Sequence, residues 1–534
     1  MTRTVRPARP LPEAKRPPRL DLISDYPRYW AGIDPDRDAV IFRPLRWSYR
    51  ELADQVDNYA RALLAAGVRP GHRVATLSTP HPDFYVTFLA AASIGAIWVG
   101  LNPRYQRREL DYVLGDATPS LVFARQTVGD RDYRADLAAL AAAHPGVRQW
   151  VALDGPDEAP DSRKRFLEAG AALSDTQLTE VRASVSTTDP CLIVYTSGTT
   201  GQPKGALISH HGLIRVARVQ HGVWPVQPLR MVNNLPINHI GCAGDITCDT
   251  LVPGGALIFQ EQFEPGGMLE LLEQEGATVL GHVPTALEYL ARHPRFEATD
   301  FSRVQLIIWA GAAAPVTLIE RLRTKCPDLA SAYGLTETVG SVTFTFDSDS
   351  IEVLAGSIGW PVDEYEMRIA ASDGTALPPG ETGEVQVRGD FLTLGYWNRP
   401  EATAALFTAD GWMHTGDLGT VNPDGSYRLI GRLKEMFKSG GYNVYPREIE
   451  IVLESHPDVA MAAVIGVADP TFQEVGHAFV LVHPGRSPTP DDLEQHCRAA
   501  LANYKVPKRF VVATDMPMLP IGKIDKQALR ASQA

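Results

Sequence analysis

The nonapeptide Thr196-Ser-Gly-Thr-Thr-Gly-Gln-Pro-Lys204 has the make-up of an anion cradle. Gly198 and Gly201 let the backbone turn its amides inward, the hydroxyls of Thr196, Ser197, Thr199 and Thr200 can donate from rotatable positions, and Lys204 adds a positive point charge. Such a loop suits a polyphosphate. It is not the Walker pattern, since the lysine stands three residues after Gly201 and no Ser or Thr follows it. Read alone, the same residues would also make a flexible surface turn. The apolar runs Cys191-Leu-Ile-Val-Tyr195 before it and Gly205-Ala-Leu-Ile-Ser209 after it predict strand, loop, strand.

Five further stretches put polar chemistry into apolar surroundings: Trp309-Ala-Gly-Ala-Ala-Ala-Pro315, Tyr333-Gly-Leu-Thr-Glu-Thr338, Gly411-Trp-Met-His-Thr-Gly-Asp417, Gly431-Arg-Leu-Lys434 and Pro520-Ile-Gly-Lys523. Each has a plain reading of its own. The alanines could be helix filler, the Thr-Glu pair a solvated turn, Asp417 a turn residue at the end of a loop, and Lys523 a solvent-facing lysine near a frayed end.

The elements that must position these residues read as an alternation of strands and helices. Ser48-Tyr-Arg-Glu51 is a capping box opening a helix that Gly67 stops. Strands are predicted at Val74–Leu77, Ala96–Leu101, Ser120–Phe123, Gln149–Leu153 and Leu192–Tyr195, with helices between them. A second series of strands is expected at Met231–Leu235, Ala256–Phe259, Thr278–Leu280 and Leu306–Trp309. Such alternation implies parallel sheets with covered faces. Asp154 to Asp189 reads as polar surface with one modest helix. From about residue 350, short strands and turns take over, with a hairpin signal at Asn422-Pro-Asp-Gly-Ser426. A separate α+β unit follows, with helices from Pro446 and Pro490. The expected class is thus α/β: a large N-terminal domain over 21–431, with two α/β sheet subdomains and a β-rich subdomain, a hinge at 432–434, and a small α+β domain over 435–534. Residues 1–20 read as a flexible tail.

Composition narrows the classes. The 534 residues include 51 Lys and Arg against 63 Asp and Glu, a net charge of −12, which argues against a general nucleic-acid or anionic-membrane binder. Five scattered cysteines without a close pair suggest a reduced, cytoplasmic protein. The apolar stretch from Phe84 to Leu101 is broken by Gly95 and reads as helix then strand in a core, not as a membrane span.

Taken together and in order, the motifs resemble the adenylate-forming superfamily: acyl-CoA synthetases, peptide-synthetase adenylation domains and beetle luciferases. The resemblance implies an ATP-dependent acyl-CoA ligase with a mobile small domain. Thr196, Ser197, Gly198, Thr199, Thr200 and Lys204 would hold the β- and γ-phosphates. Ala312 and Ala313 would lie against one face of adenine, with Tyr333 and Gly334 on the other. Thr336 would touch the α-phosphate, and Glu337, with Thr200, would hold Mg²⁺. Asp417 would accept the ribose hydroxyls, and Arg432 would reach the ribose or phosphates. Lys523 would be the catalytic lysine of adenylation, withdrawn for the second step as the small domain turns about Lys434. Leu519 stands where a Thr is common in the family, which leaves that loop's hydrogen bonding open. Lys438, Gly440 and Gly441 would then serve coenzyme A. Acid selection would fall to Asn238-His-Ile-Gly-Cys-Ala-Gly244, Ala310–Ala314 and Val339–Ser341, with His239 gating or filling the pocket beside Ile240, Gly241, Ala243, Gly244, Gly311, Val339 and Gly340. The first of these stretches lacks the aspartate that amino-acid-activating relatives carry, and a buried ammonium without a carboxylate is costly. The small lining residues suggest a roomy pocket for a bulky or long hydrophobic acid. A stand-alone carrier protein as thiol donor and a non-catalytic nucleotide-binding role stay open, as does oligomeric state, a homodimer included. Nothing favours a luciferase-like oxidation.

Overall fold

The computed structural model describes residues 16–196, 202–346, 349–483, 485–513, 515–519 and 524–532. Seven strands form one sheet, in the order Gly395–Tyr396, Lys204–Ser209, Pro190–Thr196, Ile97–Leu101, Arg73–Leu77, Leu121–Ala124 and Gln149–Ala152. From Pro190–Thr196 to Gln149–Ala152 the pairing is parallel, whereas Lys204–Ser209 runs antiparallel to both of its neighbours. Seven residues between Thr196 and Lys204 suffice for a hairpin and are too few for a parallel crossover.

A second sheet has nine strands, ordered Trp360–Pro361, Gly340–Phe344, Leu329–Leu335, Leu306–Ala310, Val279–His282, Arg230–Asn233, Ala256–Phe259, Asp38–Phe42 and Leu45–Ser48. It too is parallel in the middle and antiparallel at its edges.

The largest core lies between the two sheets. The helix Pro82–Ser93 is buried along its whole length, as its all-round apolar sequence requires. Phe84 reaches both ways, its ring centroid 6.0 Å from Trp98 of one sheet and 5.8 Å from Phe259 of the other. Buried hydroxyls are satisfied locally: Trp98 Nε1 donates to Thr76 Oγ1 at 2.9 Å. The capping box at Ser48 and Glu51 is formed and opens the helix Tyr49–Ala65.

Four antiparallel strands, Glu366–Ala370, Gly383–Arg388, Met413–Val421 and Tyr427–Arg432, make the β-rich unit, joined by the turn at Asn422–Ser426. A five-stranded sheet, with the helices Pro446–Glu454 and Pro490–Ala500 beside it, forms the C-terminal unit. Among the described residues no helix is long and apolar enough to cross a membrane.

Three expectations need correction. The 154–189 segment carries two helices, Arg163–Gly170 and Asp175–Ala183, because Phe166 and Leu178 each anchor a short amphipathic turn in the main core. The loose tail gives out before residue 20: Arg16 pairs with Glu364, Arg218 Nε donates to the Pro17 carbonyl at 2.9 Å, and Tyr26 donates to that of Pro18 at 2.7 Å. Lys204 belongs to the second strand, not to the loop.

Candidate active site

In open parallel sheets, ligands collect beyond the carboxyl ends of the strands. Here the two sheets bring those ends together. A β-carbon on Gly100, near the end of its strand, would stand 2.7 Å from the Ile237 carbonyl oxygen and 2.9 Å from Asn238 Cα, so only glycine permits the approach. Asn238 Nδ2 fixes it by donating to Tyr105 Oη at 2.9 Å.

The nonapeptide begins at Thr196, the carboxyl end of the strand Pro190–Thr196. Ser197, Gly198, Thr199 and Thr200 lie outside the described residues, as does Lys523. The described ends are Thr196, whose hydroxyl donates to the Lys204 carbonyl at 3.4 Å, and Lys204, whose ammonium sits 5.2 Å above the Tyr396 ring.

On the second sheet the adjacent parallel strands Leu306–Ala310 and Leu329–Leu335 end side by side, with Ala310 paired to Ala332. Gly311, at φ +85°, turns the chain, and Gly311, Ala312 and Ala313 form an exposed ledge without large side chains, not a helix. Opposite, Gly334 is compelled by packing, since a β-carbon there would fall 1.9 Å from the Gly340 carbonyl oxygen. Tyr333 is 7% exposed, and its hydroxyl donates to Asp417 Oδ2 at 2.8 Å. The other oxygen, Oδ1, meets Arg432 Nε at 2.9 Å.

Asp417 is not at a loop end, as its glycine neighbour suggested. It lies within Met413–Val421, in register with Arg432 on Tyr427–Arg432. Glu384 holds the approach to it: Oε1 accepts from the Gly416 amide at 3.0 Å and Oε2 lies 2.6 Å from His414 Nδ1. Burial and the Asp417 charge hold the Tyr333 phenol well above its ordinary value. Burial works against the Arg432 charge, but Asp417, Tyr333, Glu435 and Glu337 outweigh it and raise its pKa. A carboxylate has about four acceptor sites in all, so its chemistry suits a pair of vicinal hydroxyls.

Thr336 and Glu337 form the turn between Leu329–Leu335 and Gly340–Phe344. Thr336 is 9% exposed and Glu337 more open. Tyr396, which the sequence reading passed over, donates to Glu337 Oε1 at 2.7 Å while its ring faces Lys204. Burial, then the Glu337 charge and hydrogen bond, raise its phenol pKa. The Gly-Tyr-Trp run at 395–397 was the available signal. As a single part-open carboxylate, Glu337 fits Mg²⁺, which takes one or two carboxylates and completes its shell with water and phosphate oxygens.

The acid-side segment follows the strand Arg230–Asn233. His239 precedes the π-helix Gly241–Cys248, its Nδ1 accepting from the Gly241 amide at 3.0 Å. That bond fixes the ring at the helix start and leaves Nε2 as the protonated nitrogen of the neutral form. The small residues of this segment are closely packed by their neighbours. Ala243 is fully buried, a β-carbon on Gly244 would lie 2.9 Å from Ile240 Cδ1, and one on Gly340 would lie 2.5 Å from Asp245 Oδ1. Val339, at φ +63°, and Ile240 are buried as well.

Residues 28–397 match the family described as AMP-binding enzyme, and residues 448–523 match its C-terminal domain. The chain belongs to the AMP-binding enzyme family. A feruloyl-CoA synthase from Amycolatopsis sp is 35% identical over 95% of the chain and 98% of that protein. An indoleacetate–CoA ligase from Aromatoleum aromaticum is 33% identical over 95% and 97%. The ATP-bound crystal structure of MatB from Rhodopseudomonas palustris aligns with a TM-score of 0.82 at 29% identity, over 96% of this chain and 99% of that one. This AMP-binding enzyme is thus an adenylate-forming acid–thiol ligase of the acyl-CoA synthetase class.

In this AMP-binding enzyme, Arg432 closes the last strand of the β-rich unit and Lys434 follows in the exposed turn Leu433–Glu435. Lys526 ties that turn to the small unit, with Nζ 2.8 Å from Glu435 Oε2 and 2.7 Å from Glu450 Oε1. Lys438 lies on the hairpin Phe437–Ser439 with Tyr442–Val444, turned by Gly440 at φ +57° and Gly441 at φ +87°, the two-residue turn that wants glycine twice.

Proposed function

We propose that the enzyme adenylates a hydrophobic carboxylic acid and passes the acyl group to the thiol of coenzyme A. What carries the reading is the buried Tyr333–Asp417–Arg432 cluster beside the carboxyl ends of two parallel strands. In it, a carboxylate held by Tyr333 and Arg432 would accept the ribose hydroxyls, next to a ledge without large side chains that a purine would cover.

Adenine would lie between Ala312–Ala313 and Tyr333–Gly334, with Thr336 at the α-phosphate and Lys204, together with 196–200, at the β- and γ-phosphates. Glu337, with Thr200, would hold a Mg²⁺ that neutralises phosphate charge. An oxygen of the substrate carboxylate attacks the α-phosphorus in line as the bond to pyrophosphate breaks, and Lys523 bridges the two reacting partners while charge builds. The small domain then turns about Lys434, bringing Lys438, Gly440 and Gly441 toward the thiol. The thiolate adds to the acyl carbonyl and AMP leaves on its phosphate oxygen. His239, Ile240, Gly241, Ala243, Gly244, Gly311, Val339 and Gly340 would bound the acyl group. Two relatives are named for feruloyl and indoleacetate, both bulky acids, in keeping with this choice.

The test is product analysis by mass spectrometry after incubation with ATP, Mg²⁺ and a series of acids from acetate to decanoate plus aromatic acids, offered with coenzyme A and, separately, with a phosphopantetheinyl carrier protein. The expected products are acyl-CoA thioesters of the larger acids. Faster turnover of acetate than of decanoate and the aromatic acids, or loading of the carrier alone, would overturn the reading.

A further inference from the structure

The segment that bounds the acyl side carries two carboxylic acids for which adenylation has no use. Asp245 lies in the π-helix Gly241–Cys248 and Asp249 four residues on, where the helix continues as Asp249–Leu251. π-Helical turns are uncommon and gather at functional sites. Asp249 is 6% exposed, and its Oδ2 has no hydrogen-bond partner among the described residues. Asp245 keeps some accessible surface, but its Oδ1 is buried and likewise without a partner. Tyr365, 3% exposed and within electrostatic reach of Asp249, has an unpartnered hydroxyl as well.

The position of Asp245 matters more than its burial. Its Oδ1 lies 2.5 Å from where a β-carbon on residue 340 would stand, so the carboxyl fits only because residue 340 is glycine. Val339 and Gly340 come two and three residues after Glu337, and the Val339 carbonyl oxygen lies 3.4 Å from where a β-carbon on Gly244 would stand. The carboxyl therefore sits against Gly340, where the turn bearing Thr336 and Glu337 passes into the next strand, and on the ligase reading the acyl tail would run beside it. Burial pushes the Asp245 acid up to about 7, with the Ser341 backbone amide acting the other way, and burial together with Asp245 raises Asp249 further. A buried acceptor without a partner calls for one, since buried polar groups are as a rule hydrogen-bonded.

Resting on the ligase reading above, we propose that Asp245 selects the far end of the substrate: the preferred acids carry a hydrogen-bond donor, a hydroxyl or N–H, on an otherwise apolar tail. Asp249 and Tyr365 back Asp245 and keep its carboxyl from turning inward to another partner.

Matched pairs of acids test this: 3-phenylpropionate against 3-(4-hydroxyphenyl)propionate, and octanoate against 8-hydroxyoctanoate, with kcat/KM read from pyrophosphate release. The wild-type enzyme is expected to favour the hydroxylated member of at least one pair by about tenfold or more, because a site built around a hydrogen bond rejects the analogue lacking it. Asp245→Ala is expected to level or invert that ratio, with a thermal melt showing the variant folded. Should the variant not fold, the wild-type comparison decides alone. Equal turnover within both pairs, or a preference that survives Asp245→Ala, overturns the proposal. Absence of pyrophosphate release with every acid overturns the ligase reading itself, and this proposal with it.

Discussion

Asp417 and Arg432 stand opposite each other in register on adjacent antiparallel strands, and their side chains close an ion pair of 2.9 Å. The Tyr333 hydroxyl takes the second carboxylate oxygen from a different sheet, 84 residues away in sequence. Two sheets thus meet on one carboxylate, which is fixed before any nucleotide arrives. Preorganised groups of this kind spend no energy on rearrangement when the ligand binds.

Asp417→Asn keeps the shape but removes the charge that Arg432 and the ribose hydroxyls share. Truncating or neutralising one partner of a buried pair costs about 2–5 kcal/mol, so AMP binding should weaken by about 100-fold or more. Calorimetric titration with AMP checks this; affinity within a few-fold of wild type would contradict it.

Tyr396 should act on the phosphate side through Glu337 and Lys204. Tyr396→Phe removes the 2.7 Å hydrogen bond to Glu337 and keeps the ring 5.2 Å beneath the Lys204 ammonium. Its expected effect is a changed Mg²⁺ requirement with little change in the KM for acid. Tyr396→Leu also loses the cation–π contact, about 0.5–1 kcal/mol, and should raise the KM for ATP about three- to fivefold. Steady-state rates across a Mg²⁺ titration separate the two variants.

These two relationships mark where the sequence stops being readable. The strand–helix alternation from Val74 to Trp309 shows in the chain because parallel sheets covered on both faces leave unbroken apolar runs. The pairing of Asp38–Phe42 with Ala256–Phe259 leaves no local trace, since its partner lies two hundred residues on. Tyr396 was missed for the same reason: its importance comes from Glu337, 59 residues away in sequence. Gly244 and Gly340 show a different limit. A sequence shows that a side chain is absent but not what lies beside the backbone there, and here it is Ile240 and Asp245. Asp417 read as a loop residue because Gly416, at φ +70°, looks like a turn signal although the chain around it is a strand.

Lys526 should give the small domain a broad pH plateau. Burial alone would raise the Glu435 pKa, but Lys526 outweighs it and the net shift is downward from 4.5. Its stabilising contribution is therefore present above about pH 4.5 and lost as pH falls through the lowered folded value. Burial would lower Lys526, yet Glu450 and Glu435 raise it above 10.5, so its contribution holds below about pH 10.5 and fades as pH rises through the raised value. Lys526→Met should cost about 2–3 kcal/mol, less than full burial would give because the paired side chains stay partly exposed, and should flatten the acid limb. Chemical denaturation between pH 3 and 8 (roughly the window of the carboxylate's linkage) checks both.

On the proposed mechanism Lys523 would serve only the first step, so Lys523→Ala should abolish adenylation while sparing thioester formation from a supplied acyl adenylate. Loss of both half-reactions to the same degree would contradict that division of labour.

The central claim is that the cleft around Tyr333, Asp417 and Arg432 joins a carboxylic acid to AMP. Acid-dependent exchange of labelled pyrophosphate into ATP, measured for wild type and for Asp417→Asn, tests it most directly. The account predicts exchange that requires a carboxylic acid and falls by about 100-fold or more in the variant. Exchange that needs no acid, or that Asp417→Asn leaves unchanged, would contradict it.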